Sequence, residues 1–346
     1  MFEPDYRNIE DCARNKKPRR IPLYEHGIDD GIMEAFLGKK FAHLRKSDPD
    51  GYFSAYCSFF RQMGYDTVTF EGCITPVLPH GGALAHPGPG YIDGREKFES
   101  YPWEEVREIY AAYYDGLYAA LRRNMPRGMK AIGGVGNGVF EIAQDLAGYE
   151  NLCLLSYDDP ALYAGLFCRI GEMMEGIWKD FLEKFGDIYC VCRFGDDLGY
   201  KINTMLPPDD IRKHIIPQYK RVIDLVHAHG KPFLLHSCGC IFSVFDDLIA
   251  AGVDAKHSNE DQIAPMRRWV EEYGDKIGNF GGVDTDHLVR KDDGELKKIV
   301  EDVYRLAAEK NGGFAIGSGN SIPDYVKPQK YALMVETVRR LRGDYD

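Results

Sequence analysis

His236 and Cys238 are the residues of this chain whose types and spacing point most directly to chemistry. They follow the short apolar run 232–235, which is typical of a buried strand, and Gly239 interrupts the pattern just after them. Residues i and i+2 of a strand point to the same side, so an imidazole and a thiol leave this strand end together. Zinc accepts nitrogen and sulfur ligands. The pair therefore indicates a zinc site, provided that further ligands converge on it.

Eight strand-like runs alternate with helical patterns, and no linker divides the chain. The runs cover residues 21–26, 66–71, 129–135, 188–194, 232–235, 253–260, 277–284 and 313–319. Such alternation predicts a parallel sheet. Eight βα units predict an α/β fold, a single (β/α)8 TIM barrel domain over residues 1–346. A doubly wound open sheet is the alternative, although no G-x-G-x-x-G turn opens a helix after a strand.

Two further segments complete the predicted barrel. Residues 1–19 predict an N-terminal helical lead-in. Residues 75–100, after the second strand, are rich in proline and glycine and predict a long loop. A loop of this length is usually a lid or a binding loop.

Composition limits the classes of function. The 346 residues carry a net charge of −11, which argues against a nucleic-acid or anionic-membrane surface. No apolar run approaches the roughly 18 residues of a membrane span, and the first residues do not resemble a signal peptide. Nine scattered cysteines favour reduced thiols over a disulfide framework. We therefore expect a cytoplasmic protein that acts on a small molecule; its oligomeric state is open, a homodimer being one option.

Polar residues end all eight predicted strands. In a barrel of this class, chemistry takes place at the carboxyl ends of the strands. The residues at these ends are Glu25, His26, Glu71, Asn137, Asp196, Asp197, His236, Cys238, Asn259, Glu260, Asp284, Ser318 and Asn320. The whole set supports an active site at this face much more strongly than any single residue does.

Glu260 is the third candidate zinc ligand. It ends the strand after that of His236 and Cys238, and three protein ligands leave one position open for substrate. His257, three residues earlier, is expected to point to the opposite side of the strand and to take no part. The alternative for His236 and Cys238 is a satisfied core histidine beside a buried thiol.

Four segments resemble the uroporphyrinogen decarboxylase superfamily. They are Leu235-His-Ser-Cys-Gly239, Asp246-Asp-Leu-Ile-Ala-Ala-Gly-Val-Asp254, Gly281-Gly-Val-Asp-Thr285 and Gly317-Ser-Gly-Asn-Ser-Ile-Pro-Asp324. The resemblance covers nearly the whole chain and implies a (β/α)8 barrel. The superfamily includes zinc methyltransferases that exchange methyl groups with corrinoids. The related cobalamin-independent methionine synthases share a His-x-Cys…Glu…Cys zinc pattern, and His236, Cys238 and Glu260 match its first three ligands.

The chain departs from the family in two respects. Glu25 and His26 stand where the decarboxylases carry an Arg-rich segment, Glu71 replaces an Asp, and Ser318 or Gly319 replaces a late His. The residues 317–319 also lack the second Cys of the thiol-activating methyltransferases. A site with one thiolate is harder and more Lewis acidic. It is therefore suited to polarising an oxygen, such as the ether oxygen of a methoxylated substrate.

The leading interpretation is a zinc-dependent methyltransferase of the O-demethylase type. It would move a methyl group between a methoxylated small molecule and the corrinoid (cobalamin) of a partner protein, with zinc on His236, Cys238 and Glu260. The predicted catalytic groups are Glu25, His26, Glu71 and Asp196. The predicted substrate-binding residues are Tyr24, Asn137, Asp197, Asn259, Asp284 and Asn320. Tyr24, Tyr200 and Phe280 near strand ends would suit an aryl ring.

Three alternatives stay open from the sequence. The first is a lyase like uroporphyrinogen decarboxylase. The second is a zinc hydrolase or lyase with water in the open position and Glu71 or Asp196 as base. The third is a metal-free binding protein with a decayed site.

Overall fold

A curled sheet of seven parallel strands is the centre of the fold. The computed structural model describes residues 2–86 and 88–345, so Met1, Pro87 and Asp346, which belong to the predicted lead-in, loop and domain, lie outside it. Each strand pairs with the next in chain order. The strands are β1 (Thr67–Cys73), β2 (Lys130–Gly136), β3 (Tyr189–Gly195), β4 (Phe233–His236), β5 (Ala255–His257), β6 (Gly278–Val283) and β7 (Phe314–Ser318).

Four helices precede β1, and helices also follow each of the seven strands. They are α1 (Arg7–Ala13), α2 (Asp30–Leu37), α3 (Leu44–Ser47), α4 (Pro49–Met63), α5 (Arg95–Ser100), α6 (Glu105–Asn124), α7 (Val139–Ala147), α8 (Tyr149–Asp158), α9 (Pro160–Phe185), α10 (Pro208–Asp210), α11 (Ile216–Ala228), α12 (Phe242–Ala250), α13 (Met266–Tyr273), α14 (Thr285–Arg290), α15 (Asp293–Glu309) and α16 (Pro328–Leu341). One π-helical turn, Ile211–Ile215, joins α10 to α11.

Seven of the eight predicted strands are confirmed, and the first, residues 21–26, is not a strand. These residues, called the seam below, form one parallel bridge, between Leu23 and Ile316 of β7. The N–H of Tyr24 donates to the carbonyl of Ile316 (2.8 Å). On the other side, the Thr69 hydroxyl of β1 donates to the carbonyl of Glu25 (2.7 Å). Pro22 has no N–H for a ladder, so the seam occupies the place between β7 and β1 without extending the sheet.

Gly317 makes the close approach of the seam to β7 possible. A Cβ atom at this position would lie 1.7 Å from the carbonyl oxygen of Tyr24. Any side chain there would push the seam away from the sheet. The packing of the seam therefore requires glycine at position 317, independently of the chemistry of the site.

The inside of the barrel is filled by a small hydrophobic cluster. Its members are Ile9, Cys12 and Ala13 from α1 with Tyr24, Ile132, Cys190, Val191, Leu234, Ala255, Phe280 and Ala315. Because α1 contributes the first three, this helix closes the amino-terminal end of the barrel. The polar residues of the strand ends lie at the opposite, carboxyl-terminal end, called the mouth below.

The predicted long loop 75–100 is partly helical. A 3-10 turn covers Thr75–Val77, and α5 takes up the last six residues. Within residues 2–86 and 88–345, no helix is long and apolar enough to cross a membrane.

Candidate active site

Arg193 is a buried cation inside the barrel, below the mouth. Arg193 is 0% exposed, although it lies in the otherwise apolar strand β3. The guanidinium forms an ion pair with Glu71 (2.6 Å), and its Nη1 donates to the hydroxyl of Tyr24 (2.7 Å) and to Nδ1 of His26 (2.6 Å). A buried charge must be paired in this way. Glu71, a predicted catalytic group, is therefore a partner of Arg193.

His26 is a neutral imidazole stacked on His236. The two ring centroids are 3.7 Å apart, with the planes 15° from parallel. Burial, followed by the charge of Arg193, lowers the pKa of His26 well below its usual value. Since Nδ1 accepts from Arg193, the proton of the neutral ring is on Nε2. His26 is thus a hydrogen-bond donor at neutral pH.

His257 contacts His236, and the prediction that it points away was wrong. The two residues are register partners in β4 and β5, so both side chains point into the barrel. Their Nδ1 atoms are 2.7 Å apart. The parity count failed because β5 ends at His257, and Glu260 therefore lies in the following loop, where strand alternation no longer applies.

The hydrogen bonds of His257 determine the tautomer of His236. The carbonyl of Ser318 lies 3.0 Å from Nε2 of His257 and can only accept, so this nitrogen carries the proton. Nδ1 of the neutral ring is then an acceptor and takes the Nδ1 proton of His236. This leaves a lone pair on Nε2 of His236, the form required of a metal ligand.

Cys238 and Asp197 face that lone pair. Nε2 of His236 lies 3.4 Å from Sγ of Cys238 and 3.7 Å from Oδ1 of Asp197. The carboxylate also accepts the backbone N–H of Cys238 (2.9 Å). Burial, followed by the charge of Asp197, raises the pKa of the thiol to about 12. A cation would relieve this repulsion, and the group Asp197, His236 and Cys238 has suitable metal-binding geometry.

Glu260 does not belong to this group in the structure. The ligand atoms of Asp197, His236 and Cys238 lie within 4.8 Å of one another. Glu260 instead lines a cleft of about 530 Å3 on the β5–β7 side of the mouth, with Asn259, Asp284 and Asn320. Burial raises the pKa of its carboxyl group. Its role as third zinc ligand stays a prediction.

Positions 317 and 319, at the end of β7, have no room for a second cysteine ligand. A Cβ at Gly319 would lie 2.1 Å from the carbonyl of Asn259, and Gly317 is required by the seam. Ser318, between them, turns its hydroxyl to Glu25 and to the carbonyl of Asn320. Asn320 of the following loop reaches the thiol, and its Nδ2 donates to Sγ of Cys238 (3.3 Å).

Two predicted catalytic carboxyl groups are fully buried and form hydrogen bonds with groups away from the mouth. Glu25 faces outward from the barrel, bonded to Ser318 and, at 3.5 Å, to Tyr65, and burial raises its pKa to about 8. Asp196 accepts the backbone N–H groups of Phe140 and Glu141 at the start of α7. Both residues are 0% exposed, so neither faces the mouth.

Glu141 is a carboxyl group near the mouth that sequence reasoning missed. It is partly exposed, and its Oε2 accepts from Nδ2 of Asn137 (2.8 Å). Burial and the charge of Asp196 raise its pKa well above the usual value. Burial and the charge of Asp196 thus favour the protonated form of this carboxyl group. Only its place at a helix start after β2 could have indicated this role.

The predicted substrate-binding residues divide into structural and mouth-facing ones. Asn137 accepts from the backbone and hydroxyl of Thr75, and Tyr24 and Phe280 are 0% exposed in the barrel core. Tyr200 is 62% exposed. Asn259, Asp284 and Asn320 line the cleft that contains Glu260. The prediction that Tyr24 and Phe280 receive an aryl ring is therefore unsupported, because neither has exposed surface.

Comparisons with known proteins agree with the fold. Residues 11–341 match the family model described as uroporphyrinogen decarboxylase (URO-D). A methyltransferase from Methanosarcina mazei has a similar structure, with a TM-score of 0.70 at 12% identity over 96% of this chain and 98% of that chain. A B12-independent methionine synthase from a Shewanella species, in complex with selenomethionine, has a TM-score of 0.50 at 12% identity over 99% of each chain. No curated protein sequence matches significantly.

Replacing His257 with Phe should change the tautomer of His236. In the unsubstituted protein, long-range 15N–1H spectra of histidine-labelled chain should show the Nδ1–H form for His236 and the Nε2–H form for His257. The variant removes the acceptor for the Nδ1 proton, so the His236 signals should move towards the mixture of an unconstrained imidazole. The exposed His43→Phe is the matched control. An unchanged His236 tautomer in His257→Phe would contradict the assignment.

Glu25→Gln should reduce the loss of stability at rising pH. The folded pKa of Glu25, about 8, lies above its ordinary value of 4.5. The unfolded chain therefore binds fewer protons between these values, and the unfolding free energy falls as pH rises from 4.5 to 8. The full effect is roughly 3–5 kcal/mol. Denaturant unfolding at pH 5 and pH 8 should show a smaller fall for the variant; an equal fall would contradict the proposed burial of an ionising group.

Proposed function

Because the chain belongs to the uroporphyrinogen decarboxylase family, we propose that it is a zinc-dependent methyltransferase. It moves a methyl group between a methoxylated small molecule and the corrinoid of a partner protein. The observation that carries this proposal is the lone pair on Nε2 of His236, held by His257 towards Cys238 and Asp197. All nine cysteines are free thiols, which suits a reducing compartment such as the cytoplasm.

The donor set suits zinc in its chemistry. One imidazole nitrogen, one sulfur and one carboxylate oxygen are all accepted zinc ligands, and three of them leave a position for substrate. The second hydrogen bond of the histidine ligand, here to His257, is the usual support for such a ring. The partial exposure of Asp197 and Cys238 leaves the site reachable from the mouth.

The reaction needs help at the leaving oxygen. Alkoxide is a poor leaving group, so a methyl ether requires Lewis or Brønsted acid assistance. Zinc, when bound, supplies the Lewis acid at the ether oxygen. Burial favours the protonated form of Glu141 near the mouth, and the Nε2–H of His26 can donate to a substrate oxygen from the stack beside His236.

The structure favours methyl transfer over decarboxylation of a porphyrinogen. A substrate with several carboxylates needs several free cations around its pocket. Arg193 is already paired with Glu71, and the carboxylate of Asp197 faces Nε2 of His236 at the mouth. The balance of charge near the mouth is therefore unfavourable for a polyanionic substrate.

Zinc analysis tests the site and identifies the third ligand. The chain should bind about one zinc, and His236→Ala and Cys238→Ala should bind almost none after dialysis against a weak chelator. We expect Asp197→Asn to weaken zinc binding at least tenfold, on the order of a lost ligand, with Glu260→Gln as the matched variant that changes it little. The reverse order would make Glu260 the third ligand. Absence of zinc binding in the unsubstituted chain would end the metal interpretation.

Methyl transfer can be followed directly by the visible spectrum of cobalamin. Reduced cobalamin is mixed with zinc-loaded protein and a panel of methoxylated compounds. We expect alkylation with at least one compound and a loss of at least about a hundredfold in rate for Cys238→Ala, on the scale of acid assistance. If zinc is bound and no compound alkylates the corrinoid, a zinc hydrolase or lyase becomes the better interpretation.

A further inference from the structure

A second cleft opens on the other side of the histidine stack, and it contains one arginine without a polar partner. The cleft has a volume of about 270 Å3, and its walls include His26, Arg45, Tyr52, Phe70, Glu71 and Arg193. We call it the Arg45 cleft. Binding pockets for drug-sized ligands are roughly 300–1,000 Å3, so its occupant is a small molecule or one end of a larger one.

The other polar side chains in the Arg45 cleft already have partners. Arg193 is bonded to Glu71 and to His26. The hydroxyl of Tyr52 donates to Asp30 (3.2 Å). Two more hydroxyl groups in the walls bond to the backbone: Tyr56 donates to the carbonyl of Thr69 (2.6 Å), and Thr69 donates to that of Glu25 (2.7 Å).

Arg45 is positioned by aromatic rings instead of an ion pair. Its Cζ lies 5.9 Å from the ring centroid of Tyr52 and 5.7 Å from that of Phe70. Within residues 2–86 and 88–345, its guanidinium makes no hydrogen bond and no ion pair of 4.0 Å or less. Contacts with ring faces orient a guanidinium without using its N–H donors. All five donors therefore stay available to a ligand.

We propose that the Arg45 cleft is a carboxylate-binding subsite, and that the substrate is a small ring-bearing carboxylic acid. One part of this proposal rests on the proposed methyl transfer, namely that the other end of the substrate extends past His26 to Asp197, His236 and Cys238. Arg45 takes the carboxylate in a bidentate pair, the geometry that guanidinium groups favour. Tyr52, Tyr56 and Phe70 supply an aromatic wall for the ring.

The surrounding charges make Arg45 the determinant of specificity for a single anionic group. The chain has a net charge of −11, and the carboxylate of Asp197 faces Nε2 of His236 at the mouth. Asp30 and Glu71 are the acidic groups in the walls of the cleft; Asp30 accepts from the hydroxyl of Tyr52, and Glu71 is paired with Arg193. A neutral analogue of the substrate has no carboxylate to pair with Arg45, and it therefore binds to the cleft more weakly.

Titration calorimetry with matched pairs of probes tests the subsite without any methyl transfer. Benzoate and 4-methoxybenzoate are compared with benzamide and 4-methoxybenzamide, on zinc-loaded and zinc-free chain. We expect the acids to bind at least tenfold more tightly than the amides, and Arg45→Gln to remove this difference, as for a charge-assisted pair. Arg45→Lys should keep part of it. The exposed Arg61→Gln in α4 is the control and should behave like the unsubstituted chain.

Each outcome decides the proposal. Equal binding of acids and amides, no measurable binding of either acid, or an acid preference that survives in Arg45→Gln would overturn it. Circular dichroism and the melting temperature of Arg45→Gln exclude a general loss of folding as the cause. If the acid preference is found and depends on Arg45 but no compound alkylates a corrinoid, the subsite stands and the methyltransferase proposal fails.

Discussion

The positive charge of Arg193 is buried inside the barrel, and the rest of the site depends on how it is satisfied. An uncompensated buried charge is strongly destabilising. Glu71 from β1 neutralises it, and Tyr24 and His26 from the seam accept its remaining donors. The same contacts connect β3 to β1 and to the seam. The contacts that neutralise this charge therefore also help to hold the seam against the barrel wall.

Neutral histidines are the second consequence of that charge. A guanidinium beside His26 and deep burial of His236 and His257 hold the pKa values of all three rings below the usual value. Three stacked or hydrogen-bonded imidazoles next to a cation can coexist only when uncharged. The carbonyl of Ser318 accepts the Nε2 proton of His257, and Nδ1 of His257 therefore accepts the Nδ1 proton of His236. The barrel thus presents one imidazole lone pair, in one direction, at its mouth.

The sequence predicted the parts of this arrangement that depend on local pattern. Apolar runs ended by polar residues located seven strands, and the strand-end position of His236 put it at the mouth. The failures concern contacts between distant segments. Asp196 is a strand-end acid like the others, but the start of α7 binds it, and its neighbour Asp197 faces His236 instead. Arg193 was hidden in an apolar strand, although a lone arginine in such a run implies a buried partner. His257 was misassigned because the strand ends three residues before Glu260.

The seam gives the barrel an adjustable aperture. Continuous ladders around a barrel link strand number, stagger and diameter, so the opening can change only if strands are rebuilt. Between the seam and β1, in the described part of the chain, the spacing is set by side chains, chiefly Thr69 and the partners of Arg193. A change in the size of one such side chain alters the width of the opening at that point alone. Single substitutions at Thr69 would therefore change the pocket width in relatives of this chain, whereas those at His26 would also move the ring stacked on His236.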